Sequence, residues 1–441
     1  MRSLLLHRAA LLGGILAAAF CIRLAFTLWT EPVPAHYSDA QYYQATAESL
    51  ARGDGYSVKF GDDGFEPGSD ASELWPPGYS MYLAGWYTAV GDELWVARAA
   101  NVVAGSLTIV PIFFIGRRLF DERTALLAAA IAALLPSFVV WTPVLLSETL
   151  FTFLFACCIA GVLFSTSERR LQPALVIASA LLIGVTALVR GQALVLVPVA
   201  AVWWMLNRVE AKEMLRWGAT ALVTVAAVLG AWTARNAIVM DDPTVLSANF
   251  GYNLRIGHAD YSTGRYIVPG DLWEAQPGIT FQEREILFND LGSRRAIDYA
   301  ASHPLDELEL SGRKIMWLWR PDSDGLFWVS SFGETPLPDG AREPLRWAID
   351  ISYLAVVALA LAGLSRLRSA ALWTVLTPIA LWTVAHIVFF GEPRYHLPML
   401  AMLVPLAAGA IVWAIGRLVG AQGKRGRPGK VTGGLKASPT G

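Results

Sequence analysis

The sequence predicts an all-α polytopic membrane protein. Its core is a bundle of about ten transmembrane helices. Short interfacial helices are expected in the first outer loop, and a small soluble domain in a later one. Three observations lead there. Of 441 residues, 55% are hydrophobic and only 16% are charged. The apolar residues come in runs of roughly 20 that are almost free of charge, the length that crosses a bilayer as a helix. Arginine and lysine then collect in every second connecting segment, as the positive-inside rule requires.

The spans read as Leu4–Leu28, Val96–Phe114, Ala125–Thr142, Leu150–Ser165, Ala174–Val189, Ala193–Leu206, Trp217–Ala234, Ala348–Leu364, Ala370–Phe390 and Leu397–Gly416. The first is longer than the h-region of a signal peptide and is read as a membrane helix. With the N-terminus inside, the inner segments carry Arg2 and Arg8, then Arg117, Arg118 and Arg123, then Arg169 and Arg170, then Arg208, Lys212 and Arg216, then Arg366 and Arg368. Both termini are therefore expected in the cytoplasm, and a bacterial inner membrane is the expected location.

Four units follow. Residues 1–234 form an N-terminal membrane module with a long outer loop at 29–95. Residues 235–346 form an extracytoplasmic loop domain. Residues 347–418 supply the last membrane helices, and 419–441 a disordered basic tail rich in Gly, Lys and Arg. In the first loop, Ser38-Asp39-Ala40-Gln41 is a capping-box pattern. Tyr43, Ala47 and Leu50 share one face of the helix that follows, which should lie along the membrane surface. Pro77 to Val90 is apolar and too short to span, so a second interfacial helix is expected. In the second loop, Pro-Gly pairs at 269–270 and 277–278 mark turns, and Ile279 to His303 reads as helical.

Composition excludes several functions. A formal net charge of −1 gives no electrostatic basis for nucleic-acid binding. Cys21, Cys157 and Cys158 all lie in apolar runs, with neither a disulfide framework nor zinc-ligand spacing. No phosphate-binding or dinucleotide-binding glycine loop is present. His36, His258, His303, His386 and His396 are scattered, so no metal ligand is assigned, and a divalent metal stays open. No cofactor is expected with certainty.

The polar residues at span ends carry the chemistry. On this topology Asp39, Glu73, Ser147-Glu148, Arg190, Trp232 with Arg235 and Asn236, and Glu392-Pro393-Arg394-Tyr395-His396 all face the outer side. Each has an ordinary reading. Asp39 can cap a helix, Glu148 can be an interfacial charge, and an arginine can snorkel to lipid headgroups. Pro76-Pro77-Gly78-Tyr79 can be a plain turn. Taken jointly, two carboxylates and three guanidinium groups at one interface suit a lipid-linked phosphate and an acid–base reaction. Arginine grips phosphate oxygens through a two-pronged fork, and a carboxylate can take a proton from an attacking hydroxyl.

At these residues the chain resembles the GT-C superfamily of membrane glycosyltransferases. The branch it is most similar to holds protein O-mannosyltransferases, lipid A aminoarabinose transferases and bacterial core-galacturonosyltransferases. The resemblance rests on Ser38-Asp39-Ala40-Gln41-Tyr42-Tyr43, Leu50-Ala51-Arg52-Gly53-Asp54-Gly55-Tyr56 and Pro76-Pro77-Gly78-Tyr79. It continues through Leu146-Ser147-Glu148-Thr149, Trp232-Thr233-Ala234-Arg235-Asn236 and Arg394-Tyr395-His396-Leu397-Pro398. It implies a GT-C-type bundle that transfers a hexosyl or pentosyl group from a polyprenyl-phosphate-linked donor to a lipid, glycan or protein acceptor. Asp39 would be the catalytic base and Glu148 the second acidic residue. Arg190, Arg235 and Arg394 would meet the donor phosphate, with Tyr42, Tyr43, Glu73, Tyr79, Asn236 and Tyr395 completing the substrate-binding set. Ala40 follows Asp39 where protein mannosyltransferases typically carry an Asp-Glu pair, which weakens protein mannosylation as the activity. The segment Gly251 to Gly257 also looks like one found in bacterial members. Two other readings compete. One is an oligosaccharide ligase or polymerase that uses a lipid pyrophosphate, and the other is a transporter or flippase, which would place polar breaks at mid-bilayer.

Overall fold

The structure, a computed structural model, describes residues 2–31, 33–273, 279–331, 337–367 and 369–425. The chain enters through α1 (Arg2–Thr30). The first loop then folds as α2 (Asp39–Arg52), the hairpin β1 (Ser57–Gly61) and β2 (Gly64–Ala71), and α3 (Gly78–Val90). Next come α4 (Leu94–Leu107) and α5 (Ile109–Leu119), α6 (Glu122–Leu134) and α7 (Pro136–Val140), and α8 (Glu148–Phe164). A two-residue hairpin, β3 (Thr166–Ser167) and β4 (Arg170–Leu171), leads to α9 (Pro173–Val189). A 3-10 turn, Gly191–Val195, precedes α10 (Leu196–Leu206), and α11 (Ala211–Val239) closes the first module. The second loop holds α12 (Phe250–Gly257), α13 (Gly270–Trp273), α14 (Phe281–Ser302), α15 (Pro304–Leu318) and α16 (Asp324–Ser331). Then α17 (Asp339–Leu364), α18 (Ser369–Val388), a 3-10 turn Pro393–His396 and α19 (Leu397–Arg425) complete the described residues.

Among the described residues, six helical segments are long and apolar enough to cross a membrane: Arg8–Thr30, Leu94–Leu119, Ala211–Val239, Gly340–Leu364, Ala370–Val388 and Pro393–Leu418. Three more of the expected spans fall on shorter apolar helices, Glu148–Phe164, Pro173–Val189 and Gly191–Leu206. The remaining expected span, Ala125–Thr142, is broken between α6 and α7, where Pro136 has no N–H to continue the ladder. Its freed carbonyls are not left bare. The fully buried Arg23 of α1 donates to Ala132 O and Ala133 O, both at 3.1 Å. A cation inside an apolar bundle is tolerated when backbone acceptors meet it in this way.

The first loop departs from an all-helical reading. In the hairpin, Lys59 pairs with Glu66, Phe60 with Phe65 and Gly61 with Gly64. Gly64 sits at φ +93°, so the tight turn needs a glycine there. The hairpin lies over one side of α2 while α3 packs on the other. Consequently α2 buries Tyr42, Tyr43, Ala45, Thr46, Ala47 and Ser49 rather than one face alone. The expected capping box is half formed. Ser38 accepts from Gln41 N at 3.3 Å, but the Gln41 side chain reaches past Ser38. Its oxygen accepts from Tyr37 N at 2.7 Å and Phe65 N at 3.1 Å, and so ties the hairpin to the helix start.

The second loop is largely helical. A full capping box, Thr280 with Glu283, starts α14. The Gly251–Gly257 segment proves to be a packing element. A side chain at Gly251 would collide with Asn289 O of α14, and one at Gly257 with Phe389 O just after α18. These glycines let α12 sit against both. The Pro-Gly turn at 277–278, Arg368 and residues 426–441 lie outside the described residues, while 419–425, expected to begin the disordered tail, continue the last helix.

Candidate active site

The helix ends bring four charged side chains together. Asp39 is the first residue of α2, directly after its Ser38 cap, and is half-buried. Burial raises its carboxyl above the usual aspartate range. The neighbouring Glu148 adds to the rise, while Arg394 and Arg190 pull against it.

Glu148 opens α8, where the helix dipole favours a carboxylate. The turn before it is fixed by side chains: Thr149 Oγ1 donates to Trp141 O at 3.0 Å, and Asn101 Nδ2 to Val144 O at 2.9 Å. The Glu148 side chain is 2% exposed, and its Oε1 accepts from Arg190 Nη2 at 2.6 Å. Arg394 Nη1 lies 3.7 Å from the same oxygen.

Arg190 ends α9. Its Nε donates to Ser147 Oγ at 2.7 Å. Arg394 sits in the 3-10 turn before α19, and its Nη2 donates to the Tyr395 hydroxyl at 3.2 Å. Both guanidinium groups lie over the Tyr395 ring, at 5.5 Å for Arg190 and 5.0 Å for Arg394. Among the described residues, Arg394 Nη1 and Glu148 Oε2 are buried without a hydrogen-bond partner. A buried guanidinium N–H left unspent is an open donor for an anionic oxygen. Behind Asp39, the Tyr43 ring meets the Tyr79 ring edge-on at 5.0 Å, and the Tyr79 hydroxyl donates to Asn101 Oδ1 at 3.2 Å.

The other residues singled out from sequence gather in a second network. Arg235 Nη1 donates to Ser72 O at 2.8 Å and to Asn236 Oδ1 at 3.0 Å, and its Nη2 donates to Tyr56 O at 2.7 Å. Asn236 in turn donates to Thr244 O at 2.9 Å. Ser72 Oγ donates to Glu285 Oε1 at 2.6 Å, and the Tyr42 hydroxyl is 2.5 Å from Ser72 Oγ. Glu73 N donates to Glu285 Oε2 at 2.9 Å. The Glu73 and Glu285 carboxyls are both pushed up to about 8, chiefly by burial. Asp242 and Glu285 add to the rise at Glu73. This network joins the first loop, α11 and α14. Tyr42, Glu73, Arg235 and Asn236 therefore sit in it and not with Glu148.

Several site residues carried no signal of their own in the sequence. Ser147 and Glu392 lay inside quoted motifs without a role. Glu285 is one acid among several on an amphipathic helix, and Asn101 hides in an apolar run. Glu392 is buried, accepts from Tyr266 N at 2.9 Å and lies 3.5 Å from Arg265 Nε. Beside it Asp324 is raised to about 6 by burial and by the Glu392 carboxylate. Among the described residues no group of three or more His, Cys, Asp or Glu side chains is placed to hold a metal ion.

A family model described as dolichyl-phosphate-mannose-protein mannosyltransferase matches residues 75–232, a little over a third of the chain. That stretch contains Glu148 and Arg190 but neither Asp39 nor Arg394. Among solved structures, the archaeal oligosaccharyltransferase AglB from Archaeoglobus fulgidus, in complex with an inhibitory peptide and a dolichol-phosphate, aligns with a TM-score of 0.53 at 15% identity. The alignment covers 96% of this chain and 52% of that one, so this chain spans about half the length of the archaeal enzyme. ArnT from Cupriavidus metallidurans, bound to undecaprenyl phosphate, aligns with a TM-score of 0.41 at 14% identity, covering 94% of this chain and 80% of that one. No curated protein sequence matches the chain. The fold is that of the GT-C superfamily, as the sequence motifs implied.

Proposed function

We propose that this GT-C-fold chain is a membrane glycosyltransferase. It moves a sugar from a polyprenyl-phosphate-linked donor to an acceptor hydroxyl on the extracytoplasmic face. The observation that carries this reading is the convergence of Asp39, Arg190 and Arg394 on the buried Glu148 at one end of an apolar helix bundle. An isoprenoid tail needs apolar surface between helices, and its phosphate needs cations where that surface ends.

Asp39 acts as the general base. The acceptor oxygen attacks the anomeric carbon, the bond from that carbon to the phosphate oxygen breaks, and the acceptor proton passes to Asp39. Polyprenyl phosphate leaves with the bonding electron pair. A carboxyl raised by burial is a stronger proton acceptor than an ordinary aspartate and suits this task. The open N–H of Arg394 meets a phosphate oxygen as charge builds there, an interaction that strengthens in the transition state. Glu148 holds Arg190 and Arg394 at the spacing they need. Arg235 supports the fold and does not touch the donor, since its guanidinium is spent on carbonyls.

The test is donor profiling with the purified full chain in detergent, read by mass spectrometry of the released lipid. Polyprenyl phosphate should appear together with glycosylated acceptor. Release of polyprenyl pyrophosphate would replace this reading with an oligosaccharide ligase. The proposed sidedness puts residues 235–346 outside and the hairpin Thr166–Leu171 in the cytoplasm of a bacterial cell. In a cysteine-free background, Ser302→Cys should react with an impermeant thiol reagent in intact cells, and Ser167→Cys should not. The reverse pattern would move the site to the other side of the membrane.

A further inference from the structure

The turn that carries Arg394 is anchored at both ends by α15, a helix of the second loop that the transfer chemistry does not use. The buried residues of α15 are Leu310, Lys314 and Leu318, and the middle one is a lysine. Lys314 has no exposed surface, and its ammonium donates to Ile387 O at 2.9 Å, in the last turn of α18. His258, at the end of α12, stands beside it. The His258 Nε2 donates to Val388 O at 2.7 Å, and its Nδ1 lies 2.9 Å from Glu307 Oε2. The last carbonyls of a helix have no partner within it, and the helix dipole favours a cation near them. Lys314 and His258 thus close α18 from outside. The backbones are drawn together as tightly. A side chain at Gly257 would meet Phe389 O and come within 3.1 Å of Lys314 Nζ, and one at Gly391 would meet Lys314 O. At the far end of the turn, His396 Nδ1 donates to Leu318 O at 2.7 Å, one helical turn past Lys314. Arg394 lies between these two anchors.

We propose that Lys314 is a positioning residue for the donor phosphate. By closing the last turn of α18 it fixes where the Arg394 turn begins, and so where the open Arg394 N–H points. This rests on the reading of Arg394 as a phosphate ligand. The guanidinium follows the path of its own turn. Its Nη2 bonds to Tyr395 of the same turn at 3.2 Å, and its Nη1 is 3.7 Å from Glu148, too far for a hydrogen bond. A buried cation is weak evidence for stability, because an apolar side chain of similar volume packs without the cost of desolvation. Leucine occupies the positions one turn before and one turn after Lys314, so an apolar residue would suit this face. What an apolar side chain cannot supply is a donor for Ile387 O. The Gly251–Gly257 segment gains a role on the same argument, since Gly257 gives Phe389 O and the Lys314 ammonium room to meet at the end of α18.

A double-mutant cycle tests this. The purified full chain is titrated with undecaprenyl phosphate and followed by intrinsic tryptophan fluorescence. Lys314→Met keeps an unbranched apolar stem and removes the donor. It should weaken binding by about threefold to tenfold, the size of an effect passed through packed side chains. In an Arg394→Lys background the same change should weaken binding by less than about twofold, because the fork it aims is already gone. A lysine that only holds the loop together would act equally in both backgrounds. The melting temperature shows that each variant is folded. Where Lys314→Met is not, Lys314→Gln, polar and one bond shorter than lysine, takes its place under the same criteria. Wild-type binding by the folded variant, or an equal loss in both backgrounds, overturns the proposal and leaves Arg394 as a phosphate ligand. If Arg394→Lys binds like the wild type, or the wild type binds no undecaprenyl phosphate, the proposal falls together with the phosphate reading beneath it.

Discussion

Two carboxylate–arginine networks meet along α2, and they are built to opposite ends. Asp39 looks toward Glu148, Arg190 and Arg394. One turn further on, Tyr42 looks toward Ser72, Glu285 and Arg235. In the first network two guanidinium groups share one glutamate, and Arg394 Nη1 is left without a hydrogen-bond partner among the described residues. In the second a single guanidinium is spent on two backbone carbonyls and an amide, while Glu73 and Glu285 are pushed up to about 8. Both arginines lie at a span end, and sequence alone ranks them equally. What separates them is whether a donor remains unspent once the fold has taken its share. The first network is arranged for a ligand and the second for holding two loops and a helix together.

The sharpest way to break that contrast is at the carboxylates. Asp39→Asn keeps the size and removes the proton acceptor. Ser38, not Asp39, caps α2, so the helix start is preserved. Turnover should fall by roughly 10²–10⁴, the usual contribution of a general base, with expression unchanged. Glu285→Gln in the other network should leave turnover near wild type. A folded Asp39→Asn enzyme that keeps about a third of wild-type transfer would return Asp39 to a structural role.

Much of this was legible in the sequence because membrane helices are written in composition. The apolar runs located helices across the chain, and the motif residues Asp39, Glu148, Arg190 and Arg394 do converge. What was missed has physical reasons. The β1–β2 hairpin is Gly- and Pro-interrupted, so strand alternation is weak in Gly64-Phe65-Glu66-Pro67-Gly68. The break before Pro136 depends on Arg23, a partner more than a hundred residues away. Glu285 is a helix-surface acid until the first loop covers it, and no local pattern records that. The separation of Arg235 from Arg394 is likewise a matter of side-chain bookkeeping in three dimensions.

A smaller effect sharpens the comparison at the arginines. Arg394→Lys keeps a charge but loses the fork, so binding of undecaprenyl phosphate should weaken by about tenfold to a hundredfold, the worth of a charge-assisted hydrogen bond. Arg235→Lys can reach only part of its present carbonyl set. It should lower the thermal stability and leave that binding unchanged, as measured by lipid titration against intrinsic tryptophan fluorescence. Equal weakening of lipid binding by both substitutions would erase the distinction between the two networks.

The smallest effect is read in the pH dependence of stability, and its sign follows from the second network. Glu73 and Glu285 have folded values near 8 against an ordinary value of 4.5. Between those limits the folded chain holds more protons than the unfolded one. Stability therefore falls as pH rises through this window, and the contribution is complete only below the ordinary glutamate value. Arg235 offsets part of the charge that then develops, which limits the loss. The melting temperature in detergent should decline from pH 6 to pH 9. Glu285→Gln should flatten the decline, because an amide stays neutral and its oxygen can still accept from Glu73 N. Glu73→Gln should flatten it as well, since that carboxyl is fully buried with no hydrogen-bond partner among the described residues. If Glu285→Gln melts with the same pH dependence as the wild type, the loop junction does not hold its proton, and the contrast between the two networks rests on arginine geometry alone.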